Sequence, residues 1–117
     1  MSPNKETVER YIDGFNRSDH DQILSCVTDD VEWVMPGAFQ LAGRDAFNGE
    51  IENPATPGTP MVKVTRTIEE GDVVVAEGTV RAGFKDGGLL NAVFCDVFEM
   101  ENARIKRLTT YQVNLAE

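Results

Sequence analysis

Histidine and cysteine are scarce in this sequence of 117 residues. His20 is the single histidine and lies in a polar stretch, which excludes a histidine-rich metal site. Cys26 and Cys95 lie in apolar contexts without Cys-x-x-Cys spacing, so we expect two reduced thiols in a cytoplasmic protein. The sequence gives no ground for a metal or another cofactor.

Basic residues are also few, with 11 Lys and Arg against 20 Asp and Glu and a net charge of −9. That balance disfavours nucleic acid and anionic membrane surfaces as partners. We find no apolar run long enough for a membrane span, no secretory signal pattern, no glycine-rich phosphate loop and no Gly-x-Ser-x-Gly elbow. Because 41% of the residues are hydrophobic, we expect one folded domain over residues 1–117.

The first half of the sequence has helical periodicity. Val8, Tyr11, Ile12 and Phe15 recur at the spacing of one helix face. The first predicted helix runs from Ser2–Pro3 to Asn16–Arg17, and a second helix runs from Asp19 to Asp29–Asp30 with Ile23, Leu24 and Val27 buried. A strand is predicted from Val31 to Met35. A third helix begins at Gly43 and carries Ala46, Phe47 and Ile51. A proline-rich loop is predicted over 53–60.

The second half changes to the period of two that is typical of strands. The predicted strands are Met61–Ile68, Val73–Phe84, Leu89–Met100 and Arg104–Leu115. Helices followed by an antiparallel sheet indicate an α+β fold in which the helices pack on one sheet face. The absence of β-α-β alternation disfavours a Rossmann arrangement.

Asp96 lies in an otherwise apolar stripe. In a strand, Ala92, Phe94, Asp96, Phe98 and Met100 point to one face. Burying a carboxylate there is costly unless it is paired or protonated. Asp96 is therefore either a functional group or a residue tolerated at a surface.

The predicted hairpin at Asp86–Gly87 decides what lies opposite this stripe. It would pair residues of the preceding strand as follows: Glu77 with Asp96, Thr79 with Phe94, and Arg81 with Ala92. A face of mixed apolar and polar residues is typical of a ligand pocket, although an exposed sheet end would look the same. A three-residue turn would reverse the faces.

Four segments, in this order and spacing, resemble the nuclear transport factor 2-like superfamily, which includes ketosteroid isomerases and SnoaL-like polyketide cyclases. They are RYIDGFNRSDHDQIL (10–24), DDVEWVMPG (29–37), LAGRDAF (41–47) and CDVFEMENARIKRLTTYQVNL (95–115). The resemblance implies a cone in which a curved, mainly antiparallel sheet wraps three helices around a pocket.

The resemblance to ketosteroid isomerases implies an oxyanion hole formed by Tyr11 and a protonated Asp96. A core tyrosine with one hydrogen bond remains the alternative for Tyr11. The usual base position, just before Pro36, holds Met35, which cannot accept a proton at neutral pH. Glu77, or a water that it holds, is the remaining candidate base. The residues expected to line the pocket are Phe15, Trp33, Met35, Thr79, Arg81, Phe94, Leu108, Thr110 and Gln112.

These implications predict a small isomerase-, cyclase- or dehydratase-like enzyme for a compact, largely apolar carbonyl or phenolic ligand. A binding protein without chemistry and an accessory dimerisation domain are the alternatives. Val93, Cys95 and Val97 would lie on the sheet face that the helices leave bare, which predicts a homodimer.

Overall fold

The computed structural model describes residues 2–51, 61–83 and 89–115. Its elements are α1 (Pro3–Arg17), α2 (His20–Leu24), β1 (Val27–Met35), β2 (Phe39–Ala42), α3 (Arg44–Ile51), β3 (Met61–Glu70), β4 (Val73–Gly83), β5 (Leu89–Glu101) and β6 (Arg104–Asn114). The strands form one sheet in the order β2-β1-β6-β5-β4-β3. Neighbouring strands are antiparallel except β1 and β6, which are parallel. The predicted α+β class with a mainly antiparallel sheet on three N-terminal helices is confirmed.

Capping interactions fix both ends of α1. The Ser2 side chain accepts a hydrogen bond from the Lys5 backbone N–H at 3.0 Å. At the other end Ser18 adopts a left-handed conformation, and its N–H bonds back to the carbonyls of Gly14 and Phe15. These contacts satisfy backbone groups that a helix leaves unpaired at its ends. The predicted bounds of this helix are confirmed.

The second helix begins where predicted and ends earlier. The Asp19 side chain accepts a hydrogen bond from the Gln22 backbone N–H at 3.0 Å, as the capping spacing predicts. The helix ends at Leu24, and Val27 begins β1. The predicted continuation to Asp29–Asp30 is therefore wrong, because pairing with β6 extends this segment into the sheet.

The hairpin of β1 and β2 was not anticipated from the sequence. Pro36 and Gly37 end β1 as expected, but the chain then returns antiparallel and pairs Phe39 with Met35. β2 has only four residues, so its periodicity gave little signal. The predicted loop over 53–60 and the predicted turn at Asp86–Gly87 lie outside the described residues.

The register between β4 and β5 differs from the prediction by one residue. Asp96 lies opposite Ala76, whereas Glu77 pairs with Cys95. The last pair is Gly83 with Leu89, so an odd number of residues separates the strands, and this reverses the faces relative to a two-residue turn. The prediction that Glu77, Thr79 and Arg81 share a face with Asp96 is wrong: their pairing partners are Cys95, Val93 and Asn91.

Helices cover one face of the sheet, which we call the inner face. Helix α1 packs against β3, β4 and β6, and α3 packs against β1 and β2. The stripe on β5 lies on this face, and its members are all buried: Ala92, Phe94, Asp96, Phe98 and Met100. The predicted stripe is therefore a core stripe.

β3 and β4 come unusually close at Gly78. A Cβ atom on Gly78 would overlap the Lys63 carbonyl oxygen, beside the β3 bulge between Val64 and Arg66. Since the obstacle is backbone, no side-chain rotation can relieve it. Gly78 thus permits the irregular pairing at which β3 meets the rest of the sheet.

We predict that Gly78→Ala lowers the free energy of unfolding by about 2 kcal/mol or more, because β3 must move to admit the methyl group. Gly49→Ala is the matched control, since its Cβ meets nothing within 4 Å and alanine favours the helix α3. Urea unfolding of both variants measures the difference. Wild-type stability in Gly78→Ala would show that this close approach does not constrain the sheet.

Candidate functional site

Asp96 is buried on the inner face of the sheet. The residue is 8% exposed and lies between Phe94 and Phe98 along β5, with Ala76 and Thr110 as cross-strand neighbours. Within the described residues, the buried Oδ1 atom of Asp96 has no hydrogen-bond partner. Such an atom is costly to leave unpaired, which makes it a place where a ligand can gain a hydrogen bond.

Burial raises the pKa of Asp96 from its ordinary 3.8 to about 7, while a hydrogen bond with the Thr110 side chain acts in the opposite direction. This carboxyl therefore gains and loses its proton near neutral pH rather than near pH 4. The pKa is raised in the direction that the expected protonated Asp96 requires, and burial rather than Glu77 is its cause. Glu77 instead accepts a hydrogen bond from Arg66 Nε at 2.7 Å on the opposite face.

A buried hydrogen bond connects β1 with β6 next to Asp96. Trp33 Nε1 donates to Thr110 Oγ1 at 3.0 Å. Thr110 is 6% exposed and lies directly opposite Asp96. We call Trp33, Thr110 and Asp96 the polar row. Sequence reasoning named all three as candidates but gave no sign that they are connected.

Tyr11 extends from α1 into the same interior. It is 2% exposed, and its ring makes edge contacts with Phe15 and Phe98 at centroid distances of 5.0 and 5.5 Å. Burial raises its pKa well above the ordinary 10.0, and the negative charges of Asp96 and Cys26 raise it further. Tyr11 therefore stays protonated at neutral pH and can act as a hydrogen-bond donor.

Asp96 lies where the apolar core divides along β5. A large cluster contains Phe98, Met100 and Tyr11, and a smaller one contains Val80, Ala92 and Phe94. Asp96 separates Phe94 from Phe98 on β5, so it interrupts the apolar contact between the clusters along that strand. A few polar groups among apolar and aromatic side chains are typical of small-molecule sites.

Other predicted site residues are divided between the two sheet faces. On the inner face, Leu108 is fully buried, Phe94 and Thr110 are buried, and Phe15, Met35 and Gln112 are half-buried. On the outer face, Thr79 is half-buried and Arg81 is exposed. The register error accounts for both misplaced residues and for Glu77.

The described residues include no group of three or more His, Cys, Asp or Glu side chains arranged to hold a metal ion. None of the helices in residues 2–51, 61–83 and 89–115 has the length and apolar character required to span a bilayer.

Comparison with known proteins identifies the family. A sequence profile described as a SnoaL-like domain matches residues 8–108. This chain belongs to the SnoaL-like domain family. No curated protein matches the sequence of this SnoaL-like protein.

Solved structures share the fold over nearly the whole length of this SnoaL-like protein. An NTF2-like protein of unknown function from Burkholderia pseudomallei is 25% identical with a TM-score of 0.87, covering 94% of this chain and 90% of that one. TerC, co-crystallised with polyporic acid, is 25% identical with a TM-score of 0.85, covering 93% and 90%. An epoxide hydrolase of the LEH-like type from Mycobacterium tuberculosis is 19% identical with a TM-score of 0.83, covering 95% and 83%.

The pKa of Asp96 makes the stability of this SnoaL-like protein depend on pH. The pKa of Asp96 is about 7 in the folded protein and has its ordinary value of 3.8 in the unfolded chain. At a pH between these two values, the folded state holds a proton that the unfolded state has released. The stability that this proton uptake contributes is therefore fully present below pH 3.8. It is lost as the pH rises from 3.8 to about 7, because the folded protein must then also release the proton.

We predict that the unfolding free energy of Asp96→Asn rises relative to wild type between pH 4 and pH 8, by at most about 4 kcal/mol, because asparagine has no such proton to lose. Denaturant unfolding of both proteins across this range measures the difference. Parallel stability profiles for the two proteins would contradict a raised pKa at Asp96.

Proposed function

We propose that this protein binds a compact, largely apolar carbonyl or phenolic compound beside Tyr11 and Asp96, and that Asp96 exchanges a proton with it. The observation that carries the proposal is the buried Asp96 carboxyl, which has an unpaired oxygen and a pKa of about 7 at the division of the core. Protonated Asp96 and Tyr11 would both donate hydrogen bonds to a phenolic or developing enolate oxygen.

The reaction class that fits this arrangement is a proton shift, a cyclisation or a dehydration next to a carbonyl. A general acid or base is most effective when its pKa lies near the working pH, as that of Asp96 does. Glu77 cannot serve, because it faces away from Asp96. In its carboxylate form Asp96 would take a proton from the carbon next to the carbonyl while Tyr11 donates a hydrogen bond to the developing enolate oxygen. In the acid form that results, Asp96 would donate to the enolate oxygen and then return the proton to a carbon of the product.

One relative of the same fold was crystallised with an organic acid. TerC, 25% identical to this chain, was co-crystallised with polyporic acid. This supports binding of an organic compound in the same fold and makes polyporic acid a rational first probe beside a panel of simple phenols.

We predict that Tyr11→Phe weakens the binding of phenols by about 1–3 kcal/mol, since it removes one donor to a ligand oxygen that carries negative charge. Stability should change little, because the ring keeps its aromatic contacts. Tyr111→Phe is the matched control for binding, since Tyr111 lies on the outer face of the sheet, away from Asp96. Titration calorimetry and thermal melting of both variants measure the two quantities.

The opposite pattern would contradict this role for Tyr11. If Tyr11→Phe loses stability but keeps full affinity for phenols, the tyrosine is a core residue only. If no phenol and no polyporic acid binds the wild-type protein, the proposed ligand class itself is wrong.

Met35 supports a second candidate function, that of a binding protein without chemistry. It is half-buried at the end of β1, next to Pro36, and its thioether has no proton to exchange. The two functions separate in one experiment, exchange of the α-protons of a cyclic ketone in D2O followed by NMR. Exchange that is accelerated by wild type and lost in Asp96→Asn supports an enzyme, whereas phenol binding without accelerated exchange supports a binding protein.

We further propose that the protein is a homodimer formed through the outer face of the sheet. The helices leave this face uncovered, and it carries large exposed hydrophobic side chains: Met61, Ile68, Val93, Tyr111 and Val113. Cys95 and Val97 add half-buried positions to the same face. A second copy related by two-fold symmetry would cover the apolar surface of both chains.

We predict that wild type is dimeric at micromolar concentration and that Val113→Lys shifts it to monomer, because it places a charge on the apolar outer face. Ala46→Lys is the control, since it adds the same charge at an exposed position of α3. Light scattering coupled to size-exclusion chromatography measures the masses. A monomeric wild type would contradict the proposed dimer.

We also propose that the protein is cytoplasmic, since Cys26 and Cys95 are free thiols.

A further inference from the structure

Trp33 is held so that its only polar atom faces Thr110. Its indole packs against Phe47 and Phe39 at centroid distances of 4.7 and 5.3 Å. The indole Nε1 atom can donate a hydrogen bond and cannot accept one. Because the ring is buried and enclosed by aromatic neighbours, this donor is directed at Thr110 Oγ1.

The hydrogen bond from Trp33 determines the direction in which the Thr110 hydroxyl can donate its own hydrogen. A threonine hydroxyl has one hydrogen and two acceptor positions. One acceptor position is occupied by Trp33, and the cross-strand neighbour on the same face is Asp96. The hydroxyl hydrogen is then available to the Asp96 carboxyl, and each hydrogen bond in such a chain strengthens the next.

The two oxygens of Asp96 are consequently not equivalent. Oδ1 is buried without a partner among the described residues, and the Thr110 hydroxyl lies across the strand pair from the same carboxyl. Since Oδ1 accepts no hydrogen bond, a bond from Thr110 would go to the other oxygen, Oδ2. A proton is disfavoured on an oxygen that accepts a hydrogen bond, so the carboxyl proton would then lie on Oδ1.

We propose that Trp33 and Thr110 are positioning residues that orient Asp96, so that Thr110 holds one carboxyl oxygen while Oδ1 carries the exchangeable proton and meets the ligand. That Oδ1 contacts a ligand rests on the proposed function. The orientation of the carboxyl by Thr110 is a property of the protein without ligand. The site therefore presents a single oxygen of Asp96, which suits a ligand with one hydrogen-bonding oxygen, such as a phenol or an enol.

Few titratable groups surround this carboxyl. Ala76 on β4 and Thr110 on β6 lie opposite it, and Tyr11 of α1 interacts with it electrostatically. The Cys26 thiol also interacts with Tyr11, but burial raises its pKa above the ordinary 9.0, so it stays neutral while Asp96 titrates. Because Tyr11 stays protonated through neutral pH, it does not titrate together with Asp96.

The test is a carbon-13 NMR titration of the Asp96 carboxyl in the ligand-free protein, in wild type and four variants. Thr110→Val should raise the Asp96 pKa by about one unit, because the carboxylate loses a hydrogen bond. Thr110→Ser keeps the hydroxyl and should keep the wild-type value. Trp33→Phe should raise the pKa by a smaller amount, because the Thr110 hydroxyl becomes a weaker and less directed donor. The double variant Trp33→Phe/Thr110→Val should match Thr110→Val, since Trp33 acts through Thr110.

Two outcomes would overturn the proposal. An unchanged Asp96 pKa in Thr110→Val would show that Thr110 does not hold the carboxyl. If Trp33→Phe shifts the Asp96 pKa equally in the wild-type and in the Thr110→Val background, Trp33 acts through packing and not through the Thr110 hydroxyl. The comparison of Thr110→Val with Thr110→Ser decides the role of Thr110 even if Trp33→Phe does not fold. Since no ligand is present, failure here is distinct from failure of the protein to bind phenols.

Discussion

The burial of one carboxyl group on an apolar sheet face is the constraint on which the site depends. An ionised carboxylate between Phe94 and Phe98 loses its hydration, and the protein compensates by retaining the proton up to about pH 7 and by supplying a hydrogen bond from Thr110. Neither compensation satisfies Oδ1. The folded protein thus keeps an unpaired, proton-exchanging atom in its interior, and a ligand oxygen is the partner that would complete it.

The topology of the sheet brings this site together from distant parts of the sequence. The parallel pairing of β1 with β6 places Trp33 beside Leu108 and lets its indole reach Thr110, 77 residues away. The antiparallel pairing of β6 with β5 then sets Thr110 opposite Asp96. Helix α1 covers this face and adds Tyr11, so four elements each contribute one polar side chain.

Much of this arrangement was predictable because local patterns determine it. The period of two predicted that Asp96 lies in an otherwise apolar stripe, and the helical spacing predicted that Tyr11 faces inward. Neither prediction required knowledge of a long-range contact. The β4–β5 register was not predictable in the same way, since adding or removing one residue between two strands reverses every side chain. Glu77 was misplaced for that reason. The bond between Trp33 and Thr110 left no trace in the sequence, because only the parallel strand pairing brings these residues together.

A crystal structure of the protein with a bound phenol, grown below pH 7, tests the central claim most directly. We expect the phenolic oxygen within hydrogen-bond distance of both Asp96 Oδ1 and the Tyr11 hydroxyl, with the Trp33 and Thr110 bond unchanged. A phenol bound elsewhere on the protein, with Asp96 Oδ1 still unpaired or paired to a protein group, would contradict the assignment of this carboxyl as the functional centre.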